Sequence, residues 1–89
     1  MENLRYKVAL ITGGTKGIGY AVAESLLKQG IYVAITGRTK EGAKDAAKEL
    51  NANKNYLVHA IGLDSDVRSF KSQEEVVKAV IKEFGQLDI

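Results

Sequence analysis

Short apolar runs alternate along the chain with apolar residues at helical spacing. The run Val8–Ile11 is apolar without interruption, which is typical of a parallel strand covered on both faces. Helical spacing then extends from Gly17 to Gln29, and Gly30 follows as a stop signal. Residues 31–35 are rich in β-branched side chains and predict a second strand, which Gly37 closes.

The pattern continues with a small-residue helix and a third strand. Thr39 is a suitable N-cap for this helix. Its inner face would consist of small or aliphatic residues that allow close packing on a sheet, namely Ala43, Ala46, Ala47 and Leu50. After a polar turn at 51–55, residues 56–61 predict the third strand.

A third helix and the start of a fourth strand complete the pattern. Ser72 and Glu75 have the spacing of a capping box. An apolar stripe follows and ends at Gly85, and it consists of Val76, Val77, Val80, Ile81 and Phe84. Residues 87–89 have the character of a strand's first residues.

Alternation of strands and helices predicts an α/β fold with a parallel sheet. The order β-α-β-α-β-α, with a stub of a fourth strand, corresponds to the first half of a Rossmann-type doubly wound sheet with strand order 3-2-1. We therefore interpret residues 1–89 as the N-terminal portion of an incomplete domain.

Composition narrows the class of protein. The chain has 89 residues, 45% of them hydrophobic, and a net charge of +2 without a basic block, so nothing indicates a nucleic-acid partner. No segment reads as a signal peptide or membrane span, and the chain has no cysteine. We expect a cytoplasmic protein with neither a membrane nor a nucleic-acid partner.

Four glycines within seven residues occupy the junction between the first strand and its helix. Such a loop lets backbone N–H groups approach an anion, and the N-terminus of the helix adds a partial positive charge. A triphosphate-binding P-loop would need Gly-Lys followed by Ser or Thr, whereas Lys16 precedes Gly17 and no hydroxyl residue follows. A ligand-free turn is the alternative, but it would not need so many glycines.

The segment TGGTKGIG, from Thr12 to Gly19, resembles the T-G-x-x-x-G-x-G signature of the short-chain dehydrogenases/reductases. By this resemblance, Gly13 makes the turn and Gly19 allows close packing of the helix. The backbone from Thr15 through Lys16 and Gly17 to Ile18 would face the adenosine phosphates and ribose. The segment is also similar to that of 3-oxoacyl-carrier-protein reductase-like members of the family.

The end of the second strand favours NADP over NAD. An acidic residue at this position would hydrogen-bond the ribose 2′-hydroxyl and repel a 2′-phosphate, but the sequence reads Thr36-Gly37-Arg38-Thr39. The guanidinium of Arg38 matches phosphate geometry, and Lys16 supplies a second cation. Both basic positions match those of NADP-preferring members of the family. The alternative is that both are ordinary solvated surface charges.

After the third strand, Asp66-Val67 matches an Asp-Val pair of the family, whose Asp accepts a hydrogen bond from the adenine amino group. Asp64 is a second candidate for this position, and a helix-start role is the alternative for both acids. The single histidine, His59, is interpreted as a surface or packing residue, and no metal site is predicted.

The resemblance implies that residues 1–89 are the dinucleotide-binding portion of an NADP-dependent oxidoreductase that interconverts a carbonyl and an alcohol on a small molecule. Separately, the apolar edge Val8–Ile11 beside the unfinished fourth strand predicts self-association, and we expect a homo-oligomer. No tyrosine here is followed four residues later by lysine, so the Tyr-x-x-x-Lys pair of the family is not among these residues. We therefore assign no catalytic residue and expect the 89 residues alone to be inactive. The alternative is a non-catalytic nucleotide-binding or interaction half-domain.

Overall fold

A three-stranded parallel sheet with helices on both faces forms the protein, as seen in a computed structural model that describes residues 5–66 and 68–89. The strands lie in the order β1-β2-β3, so the predicted α/β class and strand order are confirmed. The elements in chain order are β1 (Val8–Ile11), α1 (Gly17–Lys28), β2 (Tyr32–Gly37), α2 (Lys40–Asn51), β3 (Ala60–Asp64) and α3 (Phe70–Phe84).

Alternate residues of β2 contribute to two different cores, because successive side chains of a strand point to opposite faces. Val33 and Ile35 pack with residues of α1 and α2, whereas Ala34 packs with Val8 and with Val76 and Val80 of α3. The helices therefore cover both faces of the sheet, as a doubly wound fold requires.

Helix α2 forms as the sequence predicts. The hydroxyl of Thr39 accepts a hydrogen bond from the Gly42 N–H at 3.1 Å, which makes Thr39 the N-cap. The predicted inner face is buried in full, at Ala43, Ala46, Ala47 and Leu50. This face packs against β3 and β2.

The predicted third strand, residues 56–61, is wrong in its bounds. Pairing with β2 begins where Ala60 meets Val33 and continues to the pair of Asp64 with Gly37. The Asn51 side chain, at the end of α2, donates to the Ala60 carbonyl and accepts from its N–H, both at 2.8 Å. These two bonds hold the start of β3 at Ala60, and Leu57 before it is 64% exposed.

The predicted capping box of Ser72 and Glu75 is also wrong. Helix α3 begins one turn earlier, because the hydroxyl of Ser69 accepts a hydrogen bond from the Ser72 N–H at 3.1 Å. The predicted stripe is only partly buried: Val76 and Val80 are covered, whereas Val77 and Ile81 remain exposed.

The last residues lie along the free edge of β1, where the sequence places a fourth strand. The N–H groups of Asp88 and Ile89 both donate to the Val8 carbonyl, at 2.9 and 3.0 Å. The segment is not itself a strand. In the part of the chain that the structure describes, no helix is long and apolar enough to cross a membrane.

Candidate cofactor-binding site

The glycine loop connects the carboxyl end of β1 to α1. Gly13 and Gly17 have φ angles of +72° and +68°, a region that non-glycine residues rarely adopt. A Cβ atom at Gly19 would lie 2.8 Å from the Gly13 carbonyl oxygen and 3.0 Å from the Gly14 Cα. The first turn of α1 is thus in direct backbone contact with the loop.

The loop is also attached to β2. The Gly13 N–H donates to the hydroxyl of Thr36 at 3.2 Å, and the Gly14 N–H donates to the carbonyl of the same residue at 3.1 Å. A Cβ atom at Gly37 would lie 2.7 Å from the methyl group of Thr15, so the middle of the loop passes close to the end of β2.

The N-terminus of α1 has the features of an anion site. Its N-cap is Lys16, whose side chain makes no capping hydrogen bond, and the first turn contains no acidic residue. No side chain caps this turn, so its backbone N–H groups remain available to a phosphate. The helix dipole also favours an anion at this end.

A cleft of about 730 Å³ opens at the carboxyl ends of the three strands. This is where ligands bind in open α/β sheets. The lining combines glycines with hydroxyl, basic and acidic side chains. It consists of Gly13, Thr36, Gly37, Arg38, Asp64, Ser65, Asp66, Arg68 and Ser72.

Asp66 is held on the β3 side of the cleft by its neighbour Arg68. One carboxylate oxygen of Asp66, Oδ1, accepts hydrogen bonds from the Arg68 N–H at 2.9 Å and from the Arg68 Nε–H at 3.2 Å. These bonds lower the pKa of Asp66, since both favour the charged carboxylate. The Asp66 N–H in turn donates to the hydroxyl of Ser72 at 3.0 Å.

The structure brings three of the predicted site residues together, because Gly13, Arg38 and Asp66 line one cleft. Asp64 lines the same cleft, so position alone does not separate it from Asp66. The remaining predicted loop residues are not in the lining of this cleft, and they are Thr15, Lys16, Gly17, Ile18 and Gly19. Thr39 caps α2, and Val67 lies outside the described residues.

Five residues in the lining are absent from the predicted site, and one of them is Gly37 at the end of β2. Thr36 and Ser65 are buried polar residues, and Arg68 and Ser72 meet Asp66. Ser65 accepts from the Gln73 side chain at 3.1 Å. The positions of Ser65, Arg68 and Ser72 depend on where β3 ends and α3 begins, and the sequence pattern misplaced both boundaries.

The comparisons with known proteins agree with this fold. Residues 7–89 match the sequence profile described as short chain dehydrogenase, so the chain belongs to the short-chain dehydrogenase family. The family that the glycine motif predicts is therefore confirmed. Its members are oxidoreductases that use a nicotinamide cofactor.

Two curated relatives and one solved structure illustrate the similarity. A peroxisomal 2,4-dienoyl-CoA reductase of Arabidopsis thaliana is 42% identical over 86 residues, which are 97% of this chain and 28% of that protein. A 3-oxoacyl-acyl-carrier-protein reductase of Salmonella typhimurium is 39% identical over 83 residues, which are 93% of this chain and 32% of that protein. A crystal structure described as that of a short-chain alcohol dehydrogenase from Sinorhizobium meliloti 1021 superposes with a TM-score of 0.84 at 32% identity, and the match covers 97% of this chain and 33% of that one.

The chain thus spans about a third of the length of these relatives.

Proposed function

We propose that this chain holds the adenosine-phosphate end of NADP within an oxidoreductase that interconverts a carbonyl and an alcohol on a small molecule. NADP, when bound, supplies or accepts the hydride. The chain's own part is binding, and we assign no catalytic residue to it. Self-association and a cytoplasmic location stay predictions.

The position of Arg38 carries the proposal. It is exposed, it directly follows β2, and it lines the cleft that Gly13 lines from the other strand. A guanidinium here offers paired N–H donors to a 2′-phosphate, and the segment from Thr36 to Thr39 contains no carboxylate to repel it.

The glycine loop supports the same ligand. Phosphates that approach the uncapped first turn of α1 would meet backbone N–H groups and no acidic side chain. Lys16, at the N-cap, adds a cation on that side. Asp66 or Asp64 would accept a hydrogen bond from the adenine amino group at the far side of the cleft.

The test compares adenosine 2′,5′-bisphosphate with 5′-AMP, which lacks only the 2′-phosphate, by isothermal titration calorimetry. We expect the chain to bind the bisphosphate more tightly. Arg38→Asp should reduce this preference roughly 10- to 100-fold, because a charge-assisted contact is lost and a repulsive charge is introduced.

Lys54→Asp is the matched control. It makes the same change of charge in the turn after α2, at the end of the molecule away from the cleft. The preference should survive in this variant. Equal affinity of the unmodified chain for both ligands, or an Arg38→Asp variant that keeps the preference, would refute the NADP assignment.

A further inference from the structure

Thr36 is the point at which the glycine loop and β2 are joined. Its side chain and its backbone both accept hydrogen bonds from the loop, at Gly13 and Gly14 respectively. The two partners are 23 positions apart in sequence for the side-chain bond, so this contact is tertiary and not a local turn.

The environment of Thr36 makes these bonds consequential. The residue is 1% exposed and Gly14 is buried, whereas Gly13 is exposed at the cleft, so the bond from the Gly13 N–H to the Thr36 hydroxyl is partly buried. Thr36 also stands two residues before Arg38, within the same cleft lining. On the other side, the Gly37 carbonyl accepts from the Ser65 N–H at 3.0 Å, which fixes the end of β2 against the segment that follows β3.

We propose that Thr36 is a positioning residue that sets where the first half of the glycine loop lies relative to Arg38. The inference rests on the proposed function for its ligand, because a dinucleotide with phosphates at both ribose positions must meet the loop and Arg38 at once. Thr36 accepts hydrogen bonds from the N–H groups of Gly13 and Gly14, and it affects the ligand only through the position of the loop.

Thr36→Val tests this role with little change of shape, since valine keeps the β-branch and lacks the hydroxyl. The Gly13 N–H would lose its acceptor, whereas the Gly14 N–H would keep the backbone carbonyl. In NMR hydrogen exchange without ligand, the Gly13 amide should exchange faster in this variant and the Gly14 amide should change little. Thr36→Ser restores the hydroxyl and should restore protection of Gly13.

Binding separates positioning from general stability. The ratio of affinities for adenosine 2′,5′-bisphosphate and adenosine 2′-monophosphate measures what the 5′-phosphate gains at the loop. Thr36→Val should reduce this ratio roughly 5- to 10-fold, the effect of one hydrogen bond, and Thr36→Ser should recover it. The preference for adenosine 2′,5′-bisphosphate over 5′-AMP, which reports on Arg38, should persist in Thr36→Val.

Val33→Ala is the control for stability, since Val33 lies on the same strand, is fully buried and belongs to the core beneath α1 and α2. It should lower the melting temperature without changing the 5′-phosphate ratio. An unchanged 5′-phosphate ratio in Thr36→Val would overturn the inference whatever the Gly13 exchange rate, as would an equal fall of the ratio in Val33→Ala.

The two proposals fail in distinguishable ways. A chain that gains affinity from the 5′-phosphate but not from the 2′-phosphate contradicts the NADP assignment and leaves the role of Thr36 standing. A chain that prefers the 2′-phosphate while Thr36→Val leaves the 5′-phosphate ratio intact contradicts the role of Thr36 alone.

Discussion

At the scale of single residues, the glycine loop can pack closely because glycine has no Cβ atom. Gly19 occupies the first turn of α1, where alanine would ordinarily favour the helix by up to about 1 kcal/mol. Its Cβ atom would nevertheless meet the Gly13 carbonyl oxygen at 2.8 Å, and this neighbour is backbone that cannot rotate away. This close contact therefore decides whether replacing Gly19 by alanine raises or lowers the stability of the fold.

We expect Gly19→Ala to destabilise the chain by about 1 kcal/mol or more, because overpacking of this size outweighs the gain in helix propensity. Urea denaturation measures the change. Ser25→Ala, at an exposed position of the same helix, is the matched control and should be neutral or slightly stabilising. A Gly19→Ala variant as stable as Ser25→Ala would contradict the packing argument.

At the scale of elements, the sequence pattern correctly located the features that depend on neighbouring residues. The glycine loop, the Thr39 cap and the buried face of α2 follow from a few neighbouring residues, and the structure agrees with the sequence on where the loop and the cap lie. The start of β3 and the start of α3 depend instead on distant partners. Asn51 fixes Ala60 from the end of α2, and no periodicity within residues 56–61 records that bond.

The candidate site shows the same division. Gly13 and Arg38 lie directly after predicted strands, so the sequence could place them at one edge of the sheet. The sequence did not predict that Arg68 and Ser72 line the cleft, because it took Ser72 as the N-cap of α3, whereas Ser69 is the N-cap. The cofactor roles of all these residues stay predictions.

Helix α3 offers a direct comparison between two valines of one stripe. Val80 is fully buried against β1 and β2, whereas Val77 is 36% exposed. Val80→Ala should destabilise the chain by about 2 kcal/mol, from lost burial of two methyl groups and the remaining cavity. Val77→Ala removes the same atoms and should cost no more than about 0.5 kcal/mol.

Chemical denaturation of the two variants checks this prediction. Equal losses would mean that the outer side of α3 is covered in solution, for example by self-association. In that case sedimentation of the unmodified chain should show a species larger than the monomer.

At the scale of the whole molecule, the sheet is closed at its β1 edge by the last residues of the chain. Val8 is the point of contact, since its carbonyl accepts from Asp88 and Ile89 and its N–H donates to the Asp88 carboxylate at 2.9 Å. The Gln86 side chain donates to the same carboxylate oxygen at 2.7 Å. A charge on Asp88 therefore helps to hold the final segment against the edge strand.

These contacts make the closure dependent on pH. The hydrogen bonds from Val8 and then Gln86, together with nearby Lys7, lower the pKa of Asp88 in the folded protein. A carboxyl group with a lowered folded-state pKa stabilises the fold above its unfolded-state pKa, and this contribution is lost as the pH falls through the folded-state value. The Asp88 contribution should thus be complete at neutral pH and disappear in acid.

Asp88→Asn should accordingly melt at a lower temperature than the unmodified chain at neutral pH, and the difference should shrink as the pH falls through the lowered pKa of Asp88. Circular dichroism melts at several pH values measure it. Because Asp66, which also has a lowered pKa, is present in both proteins, its titration cancels in the comparison. Asp45→Asn, on the exposed side of α2, controls for the loss of one negative charge. A difference between Asp88→Asn and the unmodified chain that stays constant from neutral to acid pH would show that the charge of Asp88 does not hold the final segment on β1.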